Sequence, residues 1–289
     1  MDQRTVGILS GLGAAAIWGG MYVVSKVVLE VIPPFSLVTL RLLLGIAVLW
    51  VIIASQGGTG FSWKQKFQAA AVGWVGYGVS LGLQFVGTRL STASNGALVT
   101  SATPAFVLLF AAWLLGERIT RRRLLALLVS SLGVLAVIDP RTAQLSPDLF
   151  WGNLSLVGAA LTWALYSVLV GKVTRSLAVL PATMIFFFGG LVVSVPAAVI
   201  EQQSMPVGQI TLGVAAGVLY LGVISTALAM YLWNRAFATL EAGVASLTFF
   251  AQPVVGAGLG ALFLGEQLSL LFLLGGALIG LGLWLAARG

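Results

Sequence analysis

The chain has 289 residues, 59% of them hydrophobic and only 8% charged, with a net charge of +7. A soluble domain carries about a quarter charged residues, and apolar runs of about 20 residues recur here from end to end, so a soluble globular domain is excluded and a polytopic all-α membrane protein is expected. Neither Cys nor His occurs, which removes disulfides, thiolate metal sites and Ser-His chemistry. The positive charge reads as cytoplasmic loops rather than as a nucleic-acid surface.

Ten spans are predicted in chain order, at about 6–28, 35–55, 67–87, 91–115, 123–138, 151–171, 182–200, 210–234, 241–264 and 269–287. The fifth is short and can extend back through Arg121 to Arg123 if those side chains snorkel. The first, with Trp18, Tyr22 and Lys26, is too long and polar for a signal peptide and is kept as a helix. Short connections with Pro, Gly or charge separate the spans, as at Pro33-Pro34, Gly57-Gly58 and Asp139-Pro140. With the N-terminus inside, eleven Lys and Arg fall on the cytoplasmic side, from Arg4 to Arg288. Lys26, Arg89 and Arg141 fall outside, with Arg41 just within the outer end of the second span. That bias selects an N-in, C-in orientation.

The chain repeats itself. In Ser94–Arg118 and Gly243–Gln267 a proline (Pro104, Pro253) precedes a Gly-Glu pair (Glu117, Glu266) by the same distance. The first span matches the sixth through Gly7/Gly152, Ser10/Ser155, Gly13/Gly158 and Trp18/Trp163. Two five-span repeats follow, residues 1–139 and 147–289. An odd number of spans inserts the copies upside down, and the loop charges agree: ERITRRR follows the fourth span and EQLSLLF the ninth. GxxxG pairs such as Gly7/Gly11 and Gly276/Gly280 read as close helix packing.

All eight acids lie in loops or at span ends. Without a carboxylate at mid-membrane, a pump built on a buried acid is disfavoured, as is an intramembrane aspartyl protease. No enzyme activity, metal or cofactor is expected, and facilitated or exchange transport is favoured over tight proton coupling. Trp18 and Trp163 stand near the middle of their spans, where an indole N–H needs a partner. Tyr22 and Ser167 share their respective faces. Tyr77, Ser80, Gln84 and Thr88 form one polar stripe on the third span. Tyr220, Asn95, Ser101, Ser246 and Gln252 complete the candidate substrate-binding set. Gln84, Asn95 and Gln252 read either as cavity lining or as interhelical glue, and single Ser or Thr residues commonly bond their own helix. Lys26 and Arg41 are expected to snorkel outward, with attraction of a substrate carboxylate or phosphate as the alternative. Glu117 and Glu266 read as helix termini.

Trp18-Gly19 in the first span, Arg41 in TLRLLLG of the second, and Pro104…LLGE with its echo Pro253…FLGE are similar to the drug/metabolite transporter superfamily of the ten-helix EamA type. The resemblance covers the whole chain. Phe186 stands where a second Arg41 would fall, so any role of that arginine is not duplicated. The resemblance implies a central cavity between the halves, walled by spans one, three, four, six, eight and nine. It further implies export of small metabolites by alternating access across the inner (plasma) membrane. It points to the amino-acid exporter branch, with YddG-like aromatic amino-acid exporters as the comparison; a multidrug or other metabolite (nucleoside, sugar-like) transporter of the same fold, or a non-transporting membrane channel or scaffold, is the alternative. A small-molecule substrate and the lipid bilayer are the expected partners, with no nucleic acid, and the chain is expected to be a monomer.

Overall fold

The computed structural model describes residues 2–56, 60–137, 147–264 and 270–287. Gly57-Gly58, Asp139, Pro140, Arg141, Glu266 and Arg288, used above for topology, lie outside the described residues, as does the side chain of Tyr22. Every regular element among the described residues is helical. The first part of the chain forms α1 (Gln3–Gly19), α2 (Met21–Leu29), α3 (Pro34–Ser55) and α4 (Trp63–Gly73). A π-helical segment, Trp74–Ser80, then leads into α5 (Leu81–Leu90), α6 (Ala93–Thr100), α7 (Thr103–Leu115) and α8 (Arg121–Val137). The second part forms α9 (Phe150–Val173), α10 (Val179–Glu201), α11 (Leu212–Leu219) and a second π-helical segment, Tyr220–Leu228. It continues through α12 (Ala229–Thr239), α13 (Ala242–Leu247), a 3-10 turn at Thr248–Phe250, α14 (Ala251–Leu264) and α15 (Leu270–Ala287).

Among the described residues, six helical stretches are long and apolar enough to cross a membrane: Pro34–Ser55, Trp63–Leu90, Leu98–Leu115, Pro147–Val173, Val179–Glu201 and Leu212–Thr239. The bent pair Gln3–Gly19 and Val23–Leu29 makes a seventh if taken as one span, and Ala242–Gly256 and Leu273–Ala286 are shorter apolar helices. Leu109, Leu128, Val192 and Leu274 are exposed on the outside of this bundle, a surface that lipid accepts and water penalises.

Local chemistry explains where the helices start and stop. Asp2 caps α1 by accepting the Thr5 N–H at 2.8 Å, and that bond holds its carboxyl below the usual carboxylate range. Ser62 and Gln65 form a reciprocal capping box at the start of α4. Pro104 sits in the first turn of α7, where the missing N–H costs nothing, and Gly116 ends that helix at φ 68°, a conformation that favours glycine. Two helix starts are capped from a distance. Glu201, at the end of α10, accepts the N–H groups of Phe35 and Ser36 at the start of α3, both at 3.0 Å. Glu117 accepts those of Ala242 (2.8 Å) and Gly243 (3.1 Å) at the start of α13. Arg123 pairs with both Glu117 and Glu241, so Glu117 serves the structural role expected of it.

Packing follows a pattern that maps onto itself. α1 packs on α12 and α14, and α9 packs on α5 and α7; α3 lies on α10, and α8 on α15. The first π-helical segment contacts α10 and α9, and the second contacts α3 and α1. Close approach is bought by glycine where α1 meets α14: a Cβ on Gly19 would stand 2.9 Å from the backbone nitrogen of Gly256.

Two expectations change. Arg41 does not snorkel: its side chain is 0% exposed. It turns inward because Thr226 Oγ1 accepts from Nε at 2.9 Å, Ser225 Oγ accepts from Nη2 at 3.3 Å, and the Phe85 ring lies 4.9 Å beneath the guanidinium. Lys26 is half-buried and also stays in the protein. Its Nζ donates to the carbonyls of Thr88, Arg89 and Ser91 at 2.8–3.2 Å, satisfying the open end of α5.

Candidate functional site

The interruptions in the helices converge. Trp18 and Met21 flank the break between α1 and α2, and Thr100 and Thr103 flank the break between α6 and α7. Phe249 stands in the 3-10 turn between α13 and α14, and Ser80 closes the first π-helical segment. All six line one cavity of about 30 Å³, room for one or two waters, together with Leu81, Gln84, Ala159, Ala160, Trp163, Met230 and Gln252. Broken helices expose backbone groups that an unbroken helix would consume, so in lipid they are tolerated only where protein or a cavity covers them.

Two tryptophans stand side by side in the wall. Their rings meet edge to face at 5.7 Å, and Trp233 backs both, at 5.4 Å from Trp18 and 6.3 Å from Trp163. Trp18 donates its indole N–H to the carbonyl of Ser225 at 3.0 Å, and Gln252 Nε2 donates to the Trp18 carbonyl at 3.1 Å. The N–H of Trp163 has no hydrogen-bond partner among the described residues, although it is buried; the same holds for the Thr103 hydroxyl. Ser80 donates to the Ala159 carbonyl at 2.9 Å. The wall therefore combines aromatic and thioether surface with a few polar groups, two of them unsatisfied, and it carries no ionisable side chain. The chemistry of such a wall suits a small solute with an apolar or aromatic body and hydrogen-bonding atoms, and the cavity must widen to admit one.

Of the candidate residues, the structure brings Trp18, Ser80, Gln84, Trp163 and Gln252 together here. Tyr77 lies one layer behind, in a closed ring of hydrogen bonds. Tyr166 donates to Asn234 Oδ1 (2.6 Å), Asn234 Nδ2 donates to Tyr77 (3.3 Å), and the two tyrosine hydroxyls share a bond that completes the ring. Asn234 Nδ2 also donates to Thr183 Oγ1 of α10 at 3.0 Å, so the network holds the first π-helical segment, α9, α10 and α12 in register. Ser167 is engaged by its own helix and by the Trp233 N–H. Tyr220 donates to the Ile17 carbonyl at 2.6 Å, and Ser246 bonds the Gly243 carbonyl. Asn95 joins Ser91 and Asn153 in a separate polar cluster, and Ser101 is half-buried at the break between α6 and α7. Met21, Leu81, Thr100, Thr103, Met230 and Phe249 were not singled out by sequence reasoning. Thr103 had a usable signal, a threonine directly before the proline that starts a helix; the apolar members had none.

The chain matches the EamA-like transporter family over residues 5–138 and again over residues 150–288. It is 25% identical over 278 residues to the uncharacterised transporter YetK of Bacillus subtilis, covering 94% of this chain and 84% of that one. It is 31% identical over 225 residues to a probable biotin transporter of Pseudomonas aeruginosa, covering 75% of this chain and 76% of the relative. A solved crystal structure superposes with a TM-score of 0.81 at 22% identity, over 98% of this chain and 96% of the other, which shows the fold. With two successive matches, a bundle of apolar helices and relatives named as transporters, this chain is a multi-pass membrane transporter and belongs to the EamA-like transporter family.

Proposed function

We propose that the chain is a secondary transporter that exports small metabolites, amino acids with apolar or aromatic side chains among them, by alternating access through the central cavity. The observation that carries this reading is the convergence of the helix breaks on a cavity with two unsatisfied buried donors, Trp163 and Thr103. Discontinuous helices meeting at a central site are the usual construction of a transporter binding site. The aromatic wall takes the body of the substrate, and the open donors take an acceptor on it.

The two halves, residues 1–139 and 147–289, act as inverted five-helix repeats, with both termini in the cytoplasm and the chain working as a monomer in the inner membrane. Support comes from the two family matches, the mirrored packing of α1/α12 with α9/α5, and π-helical segments before α5 and α12. Because no carboxylate lines the cavity, transport runs as facilitated movement or exchange rather than by strict proton coupling. The test is counterflow in proteoliposomes with a panel of amino acids, nucleosides, cationic drugs and biotin, with and without a pH gradient. Saturable counterflow of an amino acid without a gradient is expected. A strict gradient requirement would overturn the coupling, and saturable counterflow of cationic drugs alone would overturn the substrate class.

A further inference from the structure

Arg41 poses a problem that the aromatic cavity does not solve by itself. Its guanidinium is fully buried in an apolar bundle, and among the described residues no carboxylate pairs with it; the ion pairs there are those of Arg123. Nη1 has no hydrogen-bond partner among the described residues. Two hydroxyls and a ring face are poor compensation for a buried charge, which ordinarily is paired or becomes so in some functional state.

The position of this charge is specific. Ser225 accepts from Arg41 Nη2 through its hydroxyl and from Trp18 Nε1 through its carbonyl. One residue of the second π-helical segment thus separates the guanidinium from the cavity wall. Phe85, which lies under the guanidinium, follows Gln84 of that wall. In this water-poor surrounding the charge is weakly screened, and no acid in the wall opposes it. The two open donors of the cavity, the Trp163 N–H and the Thr103 hydroxyl, also ask for an acceptor.

We infer that the cavity is selective for substrates bearing a carboxylate, carried as anions or zwitterions, and that Arg41 sets this selectivity from behind Trp18 as the counter-charge. The inference rests on the cavity being the substrate site. It narrows the substrate class: cationic solutes of equal size are rejected, and neutral ones bind on apolar contact alone.

The experiment is a charge series on one phenyl frame, read as quenching of intrinsic tryptophan fluorescence in the purified full chain. The probes are 3-phenylpropanoate, L-phenylalanine, 3-phenylpropanamide and phenethylamine. The two carboxylates should bind about 10-fold or more tighter than the amide, a ratio typical of one desolvated charge contact, and the amine weakest. Arg41→Gln should bring carboxylate and amide to equal affinity, and Arg41→Lys should retain the preference. Equal affinities in the native protein, or a preference that survives in Arg41→Gln, would overturn the inference. The native series alone decides the selectivity should Arg41→Gln fail to fold. If the amide quenches and a Trp163→Ala variant abolishes that quenching, the cavity stands as the site even when charge selectivity fails. If no probe quenches and none competes in counterflow, the cavity reading itself falls.

Discussion

Trp18 and Trp163 occupy corresponding places in the two halves, share an edge-to-face contact and line the same cavity, yet their indole nitrogens have opposite fates. Trp18 is tied to the Ser225 carbonyl, and its own carbonyl is tied to Gln252. Trp163 packs against Tyr166 at 4.8 Å but leaves its N–H open. On the proposed reading, the difference means that one wall is closed by the protein and the other is left for a ligand. A buried donor without a partner costs stability, and in a transporter that cost is recovered when a substrate acceptor arrives. If that reading holds, the asymmetry also separates fold from site: Trp18 serves both, whereas the N–H of Trp163 serves the site alone.

Four substitutions test this contrast. Trp163→Ala removes ring and donor together and should lower transport about 30-fold or more, the usual scale for truncating a buried aromatic anchor. Counterflow in proteoliposomes, with folding checked by size-exclusion profile, reads the effect; undiminished transport by a well-folded variant would take Trp163 out of the site. Trp18→Phe strands the Ser225 carbonyl and should destabilise the protein by about 1–2 kcal/mol, seen as a lower thermal midpoint in detergent. Trp163→Phe keeps most of the ring and deletes only the unsatisfied donor. Its thermal midpoint should equal or exceed that of the native protein, while affinity for a carboxylate ligand falls about 3- to 10-fold. A loss of stability equal to that of Trp18→Phe would erase the distinction between the two residues. The smallest effect is expected from Thr103→Val: unchanged stability and an affinity loss of about 2- to 5-fold for the same ligand.

The two ends of the bundle show a related contrast. Where α7 meets α13, a carboxylate and an arginine tie helix ends together through Glu117, Arg123 and Glu241. Where α2 meets α5, the single ammonium of Lys26 gathers three carbonyls. Both use charge to satisfy backbone groups that lipid cannot, but with opposite sign, because one caps helix starts and the other a helix end. The sequence placed these charges at span ends and read Glu117 as structural. It could not reveal that Lys26 reaches across to the last carbonyls of α5, because that contact joins residues 62 to 65 positions apart.

Much of the site was legible because helix periodicity is local. The spacing of Ser80 and Gln84 puts them on one face, and the mid-span position of Trp18 and Trp163 follows from counting. Periodicity could not say which stripe residues find partners. Tyr77 and Ser80 lie on one stripe, yet the first is consumed by a ring with Tyr166 and Asn234 and the second borders the cavity. Arg41 is the sharpest case. Its place near a span end makes snorkelling cheap, and only the hydroxyls of Ser225 and Thr226, brought in from the other half, turn it inward.

Composition and pattern alone determined that this chain lies in a membrane, that its helices are apolar, that no acid stands at mid-span and that its two parts resemble one another. Those properties depend on the identity and order of residues along a helix. The tertiary structure decided where the breaks in α1/α2, α6/α7 and α13/α14 meet, which indole is satisfied and which is open, and that a guanidinium with no carboxylate partner among the described residues lies one residue behind the cavity wall. These depend on contacts between residues far apart in sequence, where the cost of a buried polar group is set by the neighbour that happens to face it.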